Sequence, residues 1–187
     1  QVMTTMMTYD LTNKMHRKFF EQELMRGNDF LEYTKEILLR GRILSVKKGN
    51  YIGNTAPFGY SKKMDDIGPT IEPNEYADAV RLVFDMYVNQ EKTPLQIARH
   101  LDSIGVKPMK GQIWEKSSIR AILKNEHYAG WVRFGGHKTE RFYENGQTVK
   151  KRNMPVDPDE VIIEKGRHAA LVSQELFDAA QAKFKNN

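Results

Sequence analysis

The side chains that could carry chemistry in this 187-residue chain are five histidines (His16, His100, His127, His137 and His168) and a scatter of carboxylates, with no cysteine. Without cysteine there is no disulfide, no thiolate zinc site and no cysteine nucleophile. The histidines form no HxxxH or HExxH pair, so they predict no metal site. No glycine-rich loop leads into a Lys-Ser/Thr helix start of the kind that cradles nucleotide phosphates. The chain is therefore expected to hold no catalytic constellation, no metal and no cofactor. His168, within Gly166-Arg167-His168-Ala169-Ala170-Leu171-Val172, reads as a hydrogen-bonded structural residue rather than a base. Trp114, Tyr128 and Trp131 read as packing residues.

What remains is charge. The net charge is +5, and Lys107 to Arg152 holds eleven Lys/Arg against four Asp/Glu. A basic block in an otherwise near-neutral chain points to a polyanionic partner, although a solvated basic surface looks the same in one dimension. Three groups of residues could serve such a partner. The first is the polar side of a short predicted helix, with Lys116, Ser117, Ser118, Arg120, Ala121 and Lys124. Small and basic side chains at a helix start fit the major groove of DNA and reach base edges. The second is an arm: Arg40, Arg42, Lys47 and Lys48 crowd the end of a long predicted helix, and Asn50 and Asn54 follow. Cations there complement the helix dipole, and an extended basic segment can also track a minor groove beside phosphates. Tyr51, Phe58 and Tyr60 in that segment read as packing residues. The third is a basic strand region with Arg133, Lys138, Arg141, Lys150, Lys151 and Arg152. These can grip phosphates or keep an exposed hairpin soluble.

Several elements must position these groups. Residues 1–11 are short and β-like, and Thr12 or Asn13 is placed to cap a helix. From Lys14 to about Lys47, Leu24, Leu31 and Leu38 recur every seven residues beside a second row of Phe30, Ile37 and Leu44. One apolar stripe on a long helix results, and thirty such residues span about 45 Å. A break at Gly27-Asn28-Asp29, with Asp29 and Glu32 as a capping box, would give two shorter helices instead. An ordered irregular segment covers 47–60. Pro73 is expected to open a helix to about Asn89, with Ala77, Val80, Phe84, Tyr87 and Val88 on its buried face. Thr93-Pro94 starts another, whose face is Leu95, Ala98 and Leu101, widened by Ile97 and Ile104 and stopped by Gly105. Ser117 is expected to cap the short helix carrying Ile119, Ile122 and Leu123. Trp131–Phe134, Arg141–Tyr143 and Val161–Ile163 read as strands, and Asn145-Gly146 reads as a hairpin turn. Ser173 caps a last helix with Leu176, Phe177, Ala180 and Phe184. The helix pair before and after 105–116 is a helix-turn-helix pattern with a long connection, and ordinary core packing would produce the same two caps.

Five stretches carry a resemblance in a fixed order. Gly53-Asn54-Thr55-Ala56-Pro57-Phe58-Gly59-Tyr60 is similar to a G-x-x-x-P-[YF]-G-Y element. Glu75 to Tyr87, with Val80-Arg81 and Phe84, is similar to E-A-x-x-V-R-x-[IV]-F-x-x-Y. Ile97-Ala98-Arg99-His100-Leu101 with Ile104-Gly105 follows I-A-x-x-L-N-x-x-G-I. Trp114, then Ile119, Ile122-Leu123, Asn125, Tyr128 and Gly130, follows W-x-x-x-x-I-x-x-I-L-x-N-x-x-Y-x-G. His168 to Phe177 follows H-x-A-[IL]-[IV]-x-x-E-x-F. Together they resemble the recombinase domain of large serine recombinases, over roughly residues 40–185.

The resemblance implies an α+β, mainly helical chain. A long N-terminal connecting helix would be followed by a helix-turn-helix-containing recombinase domain with a small β-hairpin or sheet. Residues 1–47 would be the end of a catalytic domain and its connecting helix, which can pair with another copy. Residues 48–187 would be the DNA-binding domain. The start at Gln1 fits a piece of a longer protein, with the nucleophilic serine upstream and a cysteine-bearing zinc ribbon downstream. No position here matches that serine, so Ser45, Ser61, Ser103, Ser117, Ser118 and Ser173 are assigned no nucleophilic role. The expected function is binding of double-stranded attachment-site DNA, at one half-site, within a bacterial or phage enzyme of the cytoplasm that integrates or excises a mobile element through a phosphoserine intermediate. No membrane partner is expected. Residues 117–124 would read the major groove, 47–56 the minor groove, and the hairpin would hold phosphates. A helix-turn-helix transcriptional regulator, or an oligomerisation module with an incidental basic surface, are the other classes this composition permits. Loss of cognate affinity beyond random affinity in Arg120→Ala would mark a base contact, and equal loss a phosphate contact.

Overall fold

The computed structural model describes all residues except Thr5, Met6, Asn145, Gly146, Asn186 and Asn187, and, for side chains, except His137, Glu140, Arg141, Arg152, Asn153, Pro155 and Pro158. The expected Asn145-Gly146 turn thus lies outside the described residues. The chain divides into two units, Gln1–Arg42 and Ile43–Asn187.

In the first unit β1 (Val2–Met3) and β2 (Thr8–Tyr9) pair antiparallel, with Val2 opposite Tyr9. Helix α1 (Lys14–Lys47) follows. Asn13 Oδ1 accepts from the Met15 amide at 2.9 Å, so Asn13 is the cap. Tyr9 is buried against Phe20 and His16. The helix is continuous through Gly27-Asn28-Asp29. One interior glycine costs about 1 kcal/mol relative to alanine, too little to stop a helix that gains a hydrogen bond per residue on either side. The apolar stripe is present, and Leu24, Leu31 and Leu38 are more than half exposed along it.

The second unit begins with the last turn of α1, where Val46 is fully buried. An irregular segment leads to a hairpin of β3 (Tyr60–Asp65) and β4 (Gly68–Pro73), in register from Tyr60–Pro73 to Asp65–Gly68. Sequence reading assigned no element to 61–72. Pro73 does not open a helix: it ends β4, and α2 (Ala77–Val88) starts four residues later. The turn is set by Asp65, whose Oδ1 accepts from the Ile67 and Gly68 amides at 3.0 Å.

Helices α2, α3 (Pro94–Ser103), α4 (Lys116–Leu123) and α5 (Gln174–Lys185) surround one core. Ala77, Val80, Phe84 and Tyr87 are buried as their spacing predicts. Thr93 and Gln96 form a reciprocal capping box, with Pro94 at the first helical position. Ile97, Ala98 and Leu101 are buried, whereas Leu95 and Ile104 are about half exposed and stand off the face. Gly105 ends the run at φ +77°, where glycine alone is unstrained. Ser117 is not the cap of α4. Glu115 occupies that position, and the Ser117 hydroxyl donates to its carboxylate. Ser173 does cap α5, accepting from the Leu176 amide.

At the centre stands Tyr128, in a 3-10 turn over Glu126–Ala129. Its ring stacks on Tyr60 and meets Phe84 edge-on. β5 (Trp131–Phe134) pairs with β8 (Ile162–Lys165), and between them β6 (His137–Glu144) pairs with β7 (Gln147–Pro155). The three strands read from sequence are thus present, but they divide between two separate two-stranded sheets.

Candidate nucleic-acid interface

Helix α4 shows one face to the core and one to solvent. Ile119 and Leu123 are fully buried and Ile122 nearly so. The outward arc runs from Arg120 and Lys124 through Ser117 and Ala121 to Ser118 and Asn125. Arg120 and Ser118 sit about 160° apart around the helix at ~100° per residue. Lys116, Ser117, Arg120, Ala121 and Lys124 are exposed, and Ser118 is half-buried. Beside the Ser118 edge lies a groove of about 360 Å³ whose other wall is Thr55–Phe58 and Pro108–Lys110. At the other edge Lys124 Nζ rests 5.1 Å from the Phe184 ring centroid.

The arm is an ordered strap. Two residues past the end of α1 the chain turns at Gly49, φ +75°, whose amide donates to the Val46 carbonyl. A β-carbon there would lie 2.6 Å from the Lys165 carbonyl oxygen, so both conformation and space demand glycine. Lys47 and Lys48 flank this turn and are exposed. Asn50 departs from the expected surface role. It is buried, its amide donates to Ser45 Oγ at 3.1 Å, and its Oδ1 accepts from Arg167 Nε at 2.9 Å. Arg167 also chelates both Asp65 oxygens through Nη1 at 2.8 and 2.9 Å and donates through Nη2 to the Gly68 carbonyl. That guanidinium holds the Asp65 carboxyl below its usual range.

Further along, the Tyr51 hydroxyl donates to the Thr55 carbonyl and its ring folds over Gly53. The Tyr128 hydroxyl donates to the Phe58 carbonyl at 2.8 Å, and the Tyr60 hydroxyl to the Ala169 carbonyl at 2.7 Å. Burial raises the pKa of both tyrosines. Asn54 is exposed at the outer bend, where its carbonyl accepts from Lys62 Nζ.

The remaining predicted residues lie on other elements. Arg40 is exposed and paired with Glu36, and Arg42 is exposed on α1. Arg133 bonds Glu126 at 3.1 Å. Lys138, Lys150 and Lys151 are exposed on the β6–β7 hairpin, with Lys151 Nζ 4.9 Å from the Phe142 ring centroid. The Arg141 and Arg152 side chains lie outside the described residues.

His168 has the structural role read from its context. It is buried, with Nε2 2.7 Å from the His127 carbonyl oxygen. His127 Nδ1 lies 2.6 Å from Asn125 Oδ1. Burial lowers the pKa of both rings, His127 to about 4. Both rings are buried within the fold, and among the described residues no group of three or more His, Cys, Asp or Glu is placed to hold a metal. No described helix is long and apolar enough to cross a membrane. Sequence reasoning missed Arg167 as the organiser of the arm. The signal was its place beside His168 in a segment already singled out, but its partners are about a hundred residues away in sequence.

Residues 74–187 match the family model described as Recombinase. A putative DNA recombinase of Bacillus subtilis (strain 168) is 33% identical over 154 residues, which cover 79% of this chain and 30% of the relative. The chain therefore spans about a third of that relative's length. Two solved structures share the fold. One, described as an LSR–DNA complex, has a TM-score of 0.53 at 20% identity and matches 79% of this chain and 38% of its own. The other, from work on the sequence requirements of the Listeria innocua prophage attP site, has a TM-score of 0.52 at 19% identity and matches 80% and 52%.

Proposed function

This chain belongs to the Recombinase family, and we propose that it is the DNA-reading part of a serine site-specific recombinase, binding one half-site of double-stranded attachment DNA. The observation that carries this reading is the joint placement, in one body, of an outward α4 face of small and basic residues and a strap that presents Lys47 and Lys48 from a rigid turn. A helix face of this kind enters the major groove, where small side chains allow close approach. The strap, fixed at Asn50, Phe58 and Tyr60, lays its two lysines beside the phosphates without first having to be ordered. Exposed Lys138, Lys150 and Lys151 add sequence-independent contacts.

Strand exchange, in this reading, runs through a phosphoserine link made by a serine outside these 187 residues, and this chain supplies address and orientation. The exchange would integrate or excise a mobile element. The experiment is a fluorescence-anisotropy titration of attachment-site and random duplexes across salt. Tighter binding to the attachment site, with log Kobs falling linearly in log salt, is expected. Equal affinity for both duplexes, or no salt slope, would refute it.

A further inference from the structure

A second cavity, of about 470 Å³, lies at the Arg120 edge of α4. It is lined by Tyr87 from α2, Glu91, Lys92 and Thr93 from the α2–α3 connection, Arg120, and Lys183 with Phe184 from α5. Three cationic side chains from three separate elements converge on it. Lys183 is fixed: its ammonium donates to the Tyr87 and Val88 carbonyls at 3.0 and 2.9 Å, at the end of α2. Arg120 and Lys92 are exposed, and neither forms an ion pair with a carboxylate among the described residues. Lys124, over Phe184, adds a fourth positive charge at the rim. The one carboxylate in the lining is Glu91, 3.9 Å from Lys183 Nζ and 85% exposed.

The walls sharpen this imbalance. Tyr87 and Phe184 stack at 5.2 Å and form an apolar side, and low-dielectric walls focus the field of nearby charges. The start of α3 points its positive end at the same space. Its amides add little, because Pro94 has none and the Gln96 amide is spent on Thr93 Oγ1. Recognition therefore falls to the guanidinium and the ammonium. Arg120 presents a planar fork suited to two phosphate oxygens, and Lys92 a mobile point charge.

We propose that Arg120 and Lys92, backed by Lys183, form a clamp for a single backbone phosphate of the DNA that α4 enters. The inference rests on the DNA-reading function above and divides the labour on α4. Ser117 and Ala121, at the centre of the outward arc, face the base edges, and Arg120, at its edge, holds the phosphate wall. Arg120 is thus a positioning contact common to all sequences, and Glu91 is a gate that weakens the clamp.

The test uses a random-sequence 30-base-pair duplex as probe, because a phosphate clamp does not depend on sequence. Affinity is measured against NaCl for the wild type, Lys92→Ala, Arg120→Ala, the double variant, Glu91→Gln and a control, Lys63→Ala, at an exposed lysine of β3 paired with Glu72 and outside the clamp. Each single clamp variant should lower the salt slope by up to about 0.9, the value for one neutralised phosphate. The double variant should lose less than the two singles combined, since both grip one group. Glu91→Gln should bind more tightly than the wild type, and Lys63→Ala should match it. Unchanged slopes in both single variants, or Glu91→Gln binding no tighter, would overturn the clamp. Thermal shift with inorganic phosphate separates a free-anion site: stabilisation lost in the clamp variants while duplex affinity stays intact also overturns it. If the wild type binds no duplex at all, the DNA-reading function has failed and the clamp falls with it.

Discussion

Acidification should destabilise the second unit before Asp65 and Asp85 titrate, and His127 sets the size of the effect. Its ring is packed edge-on to Tyr51 at 5.1 Å and lies 6.2 Å from His168, and its Nδ1 is held by Asn125. His168 sits between the His127 carbonyl and Gly166, its buried Nδ1 has no hydrogen-bond partner among the described residues, and the positive charge of Lys165 lies near it. Burial disfavours the charged imidazolium, which takes His127 down to about 4, against about 6.5 in an unfolded chain. The unfolded state therefore binds the proton more tightly. Stability is complete above the unfolded value and is lost as pH falls toward the folded one. From about pH 7 to pH 5 the linkage for His127 alone removes about 2 kcal/mol, and His168 shifts in the same direction. Asp65 and Asp85, both lowered by hydrogen bonds, titrate beneath this window and do not mask it. Urea unfolding across this pH range measures the slope. His127→Asn, which keeps a donor for Asn125, and His168→Gln, which keeps one for the His127 carbonyl, should each flatten it whatever they cost at neutral pH. A wild-type loss below about 0.5 kcal/mol between those pH values, or an unchanged slope in His127→Asn, would refute the linkage.

Tyr128→Phe removes the donor to the buried Phe58 carbonyl and should cost about 1–3 kcal/mol in urea unfolding, with the aromatic stack retained. Arg167→Met frees Asn50, Asp65 and the Gly68 carbonyl at once, so NMR titration should show Asp65 rising toward the ordinary carboxylate range, and trypsin should cut faster after Lys47 and Lys48. Lys47→Ala and Lys48→Ala should weaken cognate and random duplexes alike, and a loss confined to the cognate duplex would contradict a phosphate role.

Local chemistry was legible in one dimension. The Thr93 cap followed by Pro94, the Gly105 stop, a cap at Thr12 or Asn13, the Ser173 cap and the buried faces of α2 and α4 each depend on residues within a turn or two of one another. The apolar stripe of α1 was legible for the same reason, whereas its continuity through Gly27-Asn28-Asp29 was left open. The β3–β4 hairpin was not, because only Tyr60, Thr70 and Ile71 of its strands are buried and no alternation of apolar and polar residues marks either strand. The sequence also singled out Lys47, Lys48 and the polar residues of α4, by charge and by helical period. It placed Asn50 on the surface with them, and it read 47–60 as ordered without showing what holds it. Tertiary structure decided both points, since Asn50, Arg167 and Asp65 meet across about a hundred residues, and Tyr128 reaches Phe58 across seventy. It likewise brought Lys92 and Lys183 to Arg120. Periodicity reports which way a side chain faces on its own element, whereas the partner it meets is fixed by how the elements pack.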